Sequence, residues 1–202
     1  MKIKNVIFDI GGVLLDWKPI ELLKEMTDEK KAVVLKSNMM DSKYWAELDK
    51  GTITLDQAVN LFSQNIPELR DDIEFVLNHF IEYLPVIKEN VEILYKLSRD
   101  NYRLYILSNF HLESFLKAYE KYPFFNLFEG LVISSRVKLI KPEREIYEYL
   151  LDKYSLNPNE TVFFDDSEKN VWAAADLGIN AVHTPTVERL QDFYKKSLKK
   201  GR

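Results

Sequence analysis

Hydrophobic residues in this chain follow two patterns, and their alternation predicts its layout. Short unbroken runs of β-branched and aromatic residues read as buried strands. They are Val6 to Phe8, RLYILSN ending in Ser108 and Asn109, LVISS from Leu131 to Ser135, TVFFDDS from Thr161 to Ser167, and NAVHT from Asn180 to Thr184. Elsewhere apolar residues recur at helical spacing. Val91, Leu94 and Leu97 mark one helix and His111 to Tyr122 a second; a third opens at Lys141 with Pro142 near its first turn; a fourth, Val171 to Leu177, closes at Gly178; and a last one ends the chain. Strands alternating with helices predict right-handed crossovers, and so a parallel sheet covered on both faces.

From Pro19 to about Tyr83 this alternation stops, leaving helices without a convincing strand. Weaker helical stretches run from Ile20 to Met26 and from Lys30 to Met39. Thr54 and Gln57 have the spacing of a capping box, after which Leu55, Ala58, Val59, Phe62 and Ile66 share one face. A helix opened by Pro67 then carries Leu69, Ile73, Val76, Leu77, Phe80 and Leu84 at the same period. The segment predicts a small helical bundle inserted after the first strand.

Polar residues gather where the strands end. Asp9 stops the first run and is followed by Gly11 and Gly12; Ser108 with Asn109 and Asp165 with Asp166 end later runs, and Lys141 opens a helix. In open α/β sheets chemistry sits at the carboxyl ends of strands, and paired glycines let a backbone turn sharply and approach a phosphate, which makes Gly12 a candidate phosphate contact. Each feature alone also reads as a strand-ending turn. Jointly, their order and placement describe one phosphate site. A carboxylate nucleophile approaches a phosphoryl dianion only with charge cancellation, which Mg²⁺ held by Asp9 and Asp166, together with Lys141, would supply. Ser108 and Asn109 are placed to donate hydrogen bonds to the remaining phosphoryl oxygens.

Composition narrows the classes further. With 202 residues, 46% of them hydrophobic, the chain can bury the core of one domain and an insertion. It has no cysteine, which removes disulfides, thiolate metal sites and cysteine nucleophiles. A formal net charge of −4 disfavours a nucleic-acid binder, and the basic run from Lys195 to Arg202 reads as a solvated helix end. No apolar run reaches the roughly 18 residues of a membrane span, and MKIKNVIF lacks a secretory pattern, so a cytoplasmic location is expected. Oligomeric state and substrate identity are not legible.

With FDIGGVLLD, ILSN, IKPE and VFFDDSEKNV in that order, the chain resembles the haloacid dehalogenase-like hydrolases over essentially its whole length. More narrowly it resembles their subfamily with a helical cap after the first strand. The resemblance implies an α/β, Rossmann-like core from residues 1–16 and 86–202 with a cap of residues 17–85. It also implies a Mg²⁺-dependent phosphatase of a small phosphorylated metabolite, such as a sugar phosphate. Asp9 matches the nucleophile that becomes an aspartyl phosphate, Asp166 matches the side-chain metal ligand, and the backbone carbonyl of Gly11 would be a further ligand. Ser108 and Asn109 match the phosphate-binding pair, and Lys141 the lysine bridging nucleophile and phosphoryl group. Asp165 stands where glycine is frequent, and is read as an accessory ligand.

Two positions depart from the family pattern. Where most phosphatases of the family carry an acid–base aspartate two residues after the nucleophile, this chain has Gly11. General acid–base help is worth roughly 10² to 10⁴ in rate, or about 3 to 5.5 kcal/mol. Its loss predicts a steep dependence of rate on leaving-group acidity, which favours anomeric or acyl phosphates. Asn170, four residues after Asp166, replaces a common acidic residue and is expected to hydrogen-bond Lys141 or a metal-bound water. His111 reads as an exposed first-turn residue, with proton donation to the leaving group as the alternative; His79 and His183 read as structural. Trp17 and Trp45 are candidate pocket walls. The segment from Lys43 to Thr54, turning at Gly51, is either a cap element facing the site or an ordinary interhelix loop. A metal-independent haloacid dehalogenase and a catalytically weak binding protein of the same fold are the alternative functions.

Overall fold

The protein is described by a computed structural model covering residues 2–199. Five parallel strands form one sheet in the order β3-β2-β1-β4-β5. They are β1 (Asn5–Phe8), β2 (Arg103–Ser108), β3 (Gly130–Ile133), β4 (Thr161–Asp165) and β5 (Asn180–His183). The two faces of the sheet are buried separately. Ile7, Tyr105, Leu107, Val132 and Phe163 pack on one side with Ile146, Tyr147 and Leu150. Val6, Phe8, Leu104, Ile106 and Phe164 pack on the other within the larger core. Burial on both faces is why these strands read as continuous apolar runs.

Helices α1 (Pro19–Met26), α2 (Glu29–Leu35), α3 (Lys43–Lys50), α4 (Leu55–Phe62) and α5 (Arg70–Tyr83) follow β1. The chain leaves for them at Asp16 and returns at Pro85, where the Asp16 N–H donates to the Pro85 carbonyl at 2.8 Å. The sheet is completed by α6 (Lys88–Arg99), α7 (Leu112–Lys121), α8 (Ser134–Val137), α9 (Arg144–Tyr154), α10 (Glu168–Ala175) and α11 (Val187–Phe193). No helix among the described residues is long and apolar enough to cross a membrane.

The capping box is formed: Thr54 Oγ1 accepts from Gln57 N–H at 3.2 Å, and Gln57 Oε1 accepts from Thr54 N–H at 2.9 Å. Several boundaries move. That helix stops at Phe62, before Ile66, because the Ser63 hydroxyl turns back to the Val59 carbonyl at 2.8 Å. The stretch expected from Lys30 to Met39 is α2 followed by a wider π turn at Lys36–Met40. LVISS is a strand only to Ile133, since Ser134 and Ser135 begin α8. Pro142 is not in a first helical turn: the Lys141–Pro142 peptide is cis and α9 begins at Arg144. Asn109 explains that shift, for its side chain accepts from Lys141 N–H and donates to Lys141 C=O, both at 2.9 Å. The basic tail is described only to Lys199, and the expectation for its last three residues lies outside the described residues.

Candidate active site

Parallel register builds the site. Phe8 lies beside Ile106 on one edge and Phe164 on the other, so the next residues, Asp9 and Asp165, leave the sheet side by side. Asp9 is 8% exposed and Asp165 wholly buried. Between them lies Lys141, itself 3% exposed, with Nζ 3.0 Å from Asp9 Oδ1 and 2.6 Å from Asp165 Oδ2. Asp165 also accepts from Ser167 N–H at 2.8 Å and from the Asn170 amide at 3.0 and 3.1 Å. Those four hydrogen bonds use the acceptor capacity of a carboxylate. Asn170 thus turns to Asp165, and not to Lys141, one of the two partners expected of it beside a metal-bound water.

The electrostatics of the cluster are short of positive charge. Asp9 is pushed up to about 7, chiefly by burial, against which Lys141 acts, while Asp165 and Asp166 add to the rise. Asp166 is raised by burial and by Asp165. Burial pulls on Lys141 in the opposite sense, yet Asp165 and Asp9 outweigh it and hold the ammonium above its ordinary value. Carboxylate oxygens of Asp9, Asp165 and Asp166 lie within 4.8 Å of one another, a set of hard donors that suits a divalent cation. Such an ion would bring the raised carboxyls down.

Glycine and the phosphate-pair residues occupy defined places. Gly12 adopts φ +68°, and a Cβ there would meet Asp166 Oδ2 at 2.2 Å. The close approach it permits is therefore that of a carboxylate. Its N–H donates to the Leu15 carbonyl at 2.8 Å, so the expected phosphate contact through Gly12 is not available in this structure. Gly11 lines the cavity without needing a left-handed backbone. Ser108 is buried and lines the same cavity as Asp9, whose carboxyl it acts to lower. Asn109 lines the same cavity but spends one amide hydrogen and its carbonyl on the main chain of Lys141.

That cavity, of about 180 Å³, runs from Asp9, Asp166 and Ser108 to a wall of Leu15, Trp17, Trp45, Phe80, Leu84 and Phe110. Trp17 and Trp45 pack with ring centroids 5.9 Å apart and Trp17 meets Phe80 at 5.8 Å. Asp49 and His111 supply the polar groups at this end. His111 is not the exposed first-turn residue expected; it is 1% exposed and precedes α7, with Nδ1 3.3 Å from Asp49 Oδ1 and Nε2 2.6 Å from Ser114 Oγ. His183 sets Nε2 2.8 Å from the Asp166 carbonyl, whereas His79 is exposed beside Glu82.

A family model for haloacid dehalogenase-like hydrolases matches residues 6–184. The chain belongs to that family. A sesquiterpene phosphatase of Aspergillus oryzae is 26% identical over 180 residues, 89% of each chain. A D-ribitol-5-phosphate phosphatase of Bacteroides thetaiotaomicron is 26% identical, covering 87% of this chain and 89% of its own. Among solved structures, a family enzyme from Bacteroides thetaiotaomicron in complex with magnesium and inorganic phosphate matches with a TM-score of 0.70 at 25% identity, over 90% of this chain and 93% of that one.

In this haloacid dehalogenase-like hydrolase the residue that sequence reasoning passed over is Asp49. Its signal lay inside the segment from Lys43 to Thr54, of which Lys43–Lys50 is α3 and the remainder a turn leading to α4. Gly51 caps α3 at φ +73°, and a Cβ there would meet the Ser135 carbonyl at 2.7 Å. Only glycine lets the end of α3 lie so close to α8. Ser134 Oγ donates to the Asp49 carbonyl, Lys138 Nζ donates to the Gly51 carbonyl, and Lys50 pairs with Glu143 at 2.8 Å. These contacts carry Trp45 and Asp49 over the cavity.

Proposed function

We propose that this protein is a Mg²⁺-dependent phosphatase of a small phosphorylated metabolite, working through an aspartyl phosphate on Asp9. The observation that carries the reading is the carboxylate cluster with its buried lysine, two of whose carboxylates, Asp9 and Asp166, line an otherwise largely apolar cavity. Asp9 attacks phosphorus in line. Lys141, fixed by Asp165, cancels charge between the nucleophile and the phosphoryl oxygens. Ser108 orients Asp9 and stands ready to donate to the phosphoryl group, and Asn109 holds the turn that carries Lys141. Asp9, Asp166 and the Gly11 carbonyl would hold Mg²⁺, with Asp165 acting on it through Lys141. When bound, the cation supplies the remaining positive charge that the phosphoryl dianion and the carboxylates require.

Helices α1 to α5, residues 17–85, act as a cap over a core of residues 1–16 and 86–202. Their contribution is the aromatic wall of Trp17, Trp45 and Phe80, which suits a leaving group with an apolar face, as sugar rings and terpenoid alcohols have. The sesquiterpene phosphatase relative supports this. A dehalogenase attacking carbon has no need of a cation, and Asp166, the second acidic side chain facing the cavity beside Asp9, is then without purpose.

The test is phosphate release from a panel of phosphorylated metabolites with and without Mg²⁺. Asp166→Ala is expected to raise the Mg²⁺ concentration for half-maximal rate at least ~10-fold, since the ion loses a charged oxygen ligand. An unchanged Mg²⁺ titration would assign the ligand to Asp165 instead. Phosphate release independent of Mg²⁺ would remove the metal from the reading, and no phosphate release from any member of the panel, with or without Mg²⁺, would remove the phosphatase reading itself.

A further inference from the structure

We propose that Asp49, held by His111, is the proton donor and acceptor of the reaction, in the role that Gly11 leaves open; this rests on the phosphatase reading above. Among the described residues lining the cavity, the titratable side chains besides Asp9 and Asp166 are Asp49 and His111. His111 has no ring nitrogen left for a substrate. Its Nε2 is taken by Ser114 Oγ and its Nδ1 by Asp49, while its faces pack on Trp45 and Phe80 at 5.9 and 5.4 Å. With Ser114 donating to Nε2, the hydrogen lies on Nδ1 and points at the carboxylate. Asp49 commits Oδ1 to that contact, which leaves Oδ2 for the cavity.

Position and chemistry agree. The carboxylate enters from the cap, on the aromatic side where the leaving group must sit, and its helix is pinned to α8 through the Asp49 and Gly51 carbonyls. In the first half-reaction Asp9 bonds to phosphorus, the bond from phosphorus to the leaving oxygen breaks, and the Asp49 carboxyl gives its proton to that oxygen. In the second, the Asp49 carboxylate takes a proton from water, the water oxygen bonds to phosphorus, and the bond to Asp9 breaks with its electron pair returning to the carboxylate. One turnover restores both groups. His111 is a positioning residue, because it reaches the substrate only through Asp49.

The experiment is kcat/KM for phosphate esters of graded leaving-group pKa, from nitrophenyl to simple alkyl, at saturating Mg²⁺. Wild type is expected to show a shallow slope, unlike the steep one that Gly11 alone implies. Asp49→Asn should lose at least ~100-fold on alkyl esters and less than ~10-fold on nitrophenyl esters, so the slope steepens. His111→Gln should steepen it in the same sense by a smaller factor. Adding Gly11→Asp to Asp49→Asn should recover at least ~10-fold on alkyl esters; a Cβ at Gly11 meets only Trp17, at 3.5 and 3.7 Å, an ordinary contact. Asp49→Ala read the same way covers any misfolding of the asparagine variant. An unchanged slope, or an equal loss on every ester, overturns the role of Asp49 while leaving the phosphatase reading standing. No phosphate release from any ester by wild type overturns both.

Discussion

Asp9→Asn is expected to lower kcat at least ~10⁴-fold and, in the absence of metal, to raise the stability of the protein at neutral pH. The first effect follows because an amide oxygen is a poor nucleophile and the change is nearly isosteric. The second follows from burial. The Asp9 carboxyl rises from 3.8 to about 7 in the folded protein. The folded state then holds that proton more tightly than the unfolded chain does, so its contribution favours folding in full below about pH 4 and is lost as the pH climbs through 7. Above pH 7 wild type carries an unfavourable buried charge that asparagine lacks. Thermal melts in EDTA should give the variant a Tm higher by several degrees at pH 8 and a smaller advantage at pH 5. Adding Mg²⁺ should stabilise wild type more than the variant. A folded, purified variant that keeps most of its turnover would remove Asp9 from the nucleophile role.

Lys141→Met should be the most damaging single change to folding in the site. It leaves Asp9 and Asp165 buried beside each other with no cation between them. Removing one partner of a buried ion pair typically costs about 3–5 kcal/mol, and here two carboxylates lose the same partner. The methionine can still cover Phe163, over which the ammonium sits at 5.3 Å, so packing is largely kept and the loss is electrostatic. Urea unfolding at neutral pH should show a loss of about that size, and a smaller one at pH 5, where the Asp9 carboxyl, raised to about 7 by burial, holds its proton. Turnover should vanish with it. A loss equal at both pH values would mean that shape rather than charge is what Lys141 supplies.

How much of this was legible in sequence divides along a physical line. The strands, and the places of Asp9, Asp165 and Asp166 at their carboxyl ends, could be read because each closes or follows a short run whose burial pattern fixes it locally. Residues that meet only through long-range docking could not. Asp49 sits 62 positions from His111 in sequence, and the capped end of α3 gives no local sign of the α8 carbonyl against which it packs. His111 was misread because a polar residue ahead of a helix looks exposed unless one knows that Trp45 and Phe80 cover it. Gly12 was legible only in part: the pair of glycines signals a close approach, but not that the Asp166 carboxylate makes one.

Amide hydrogen exchange would separate the two ends of this cavity by lifetime. β1 is bonded along both edges, to β2 and to β4, so the amides of its residues are expected to exchange only when the whole sheet opens. The C-terminal end of α3 is held to the core by the hydrogen bonds from Ser134 and Lys138 and the Lys50–Glu143 pair, and its amides should exchange orders of magnitude faster. The carboxylate that would attack is thus carried by the part of the chain that opens last. In the proposed reaction the leaving group would sit against a part that can let go many times before the sheet opens once, which would give the product a way out without disturbing the nucleophile.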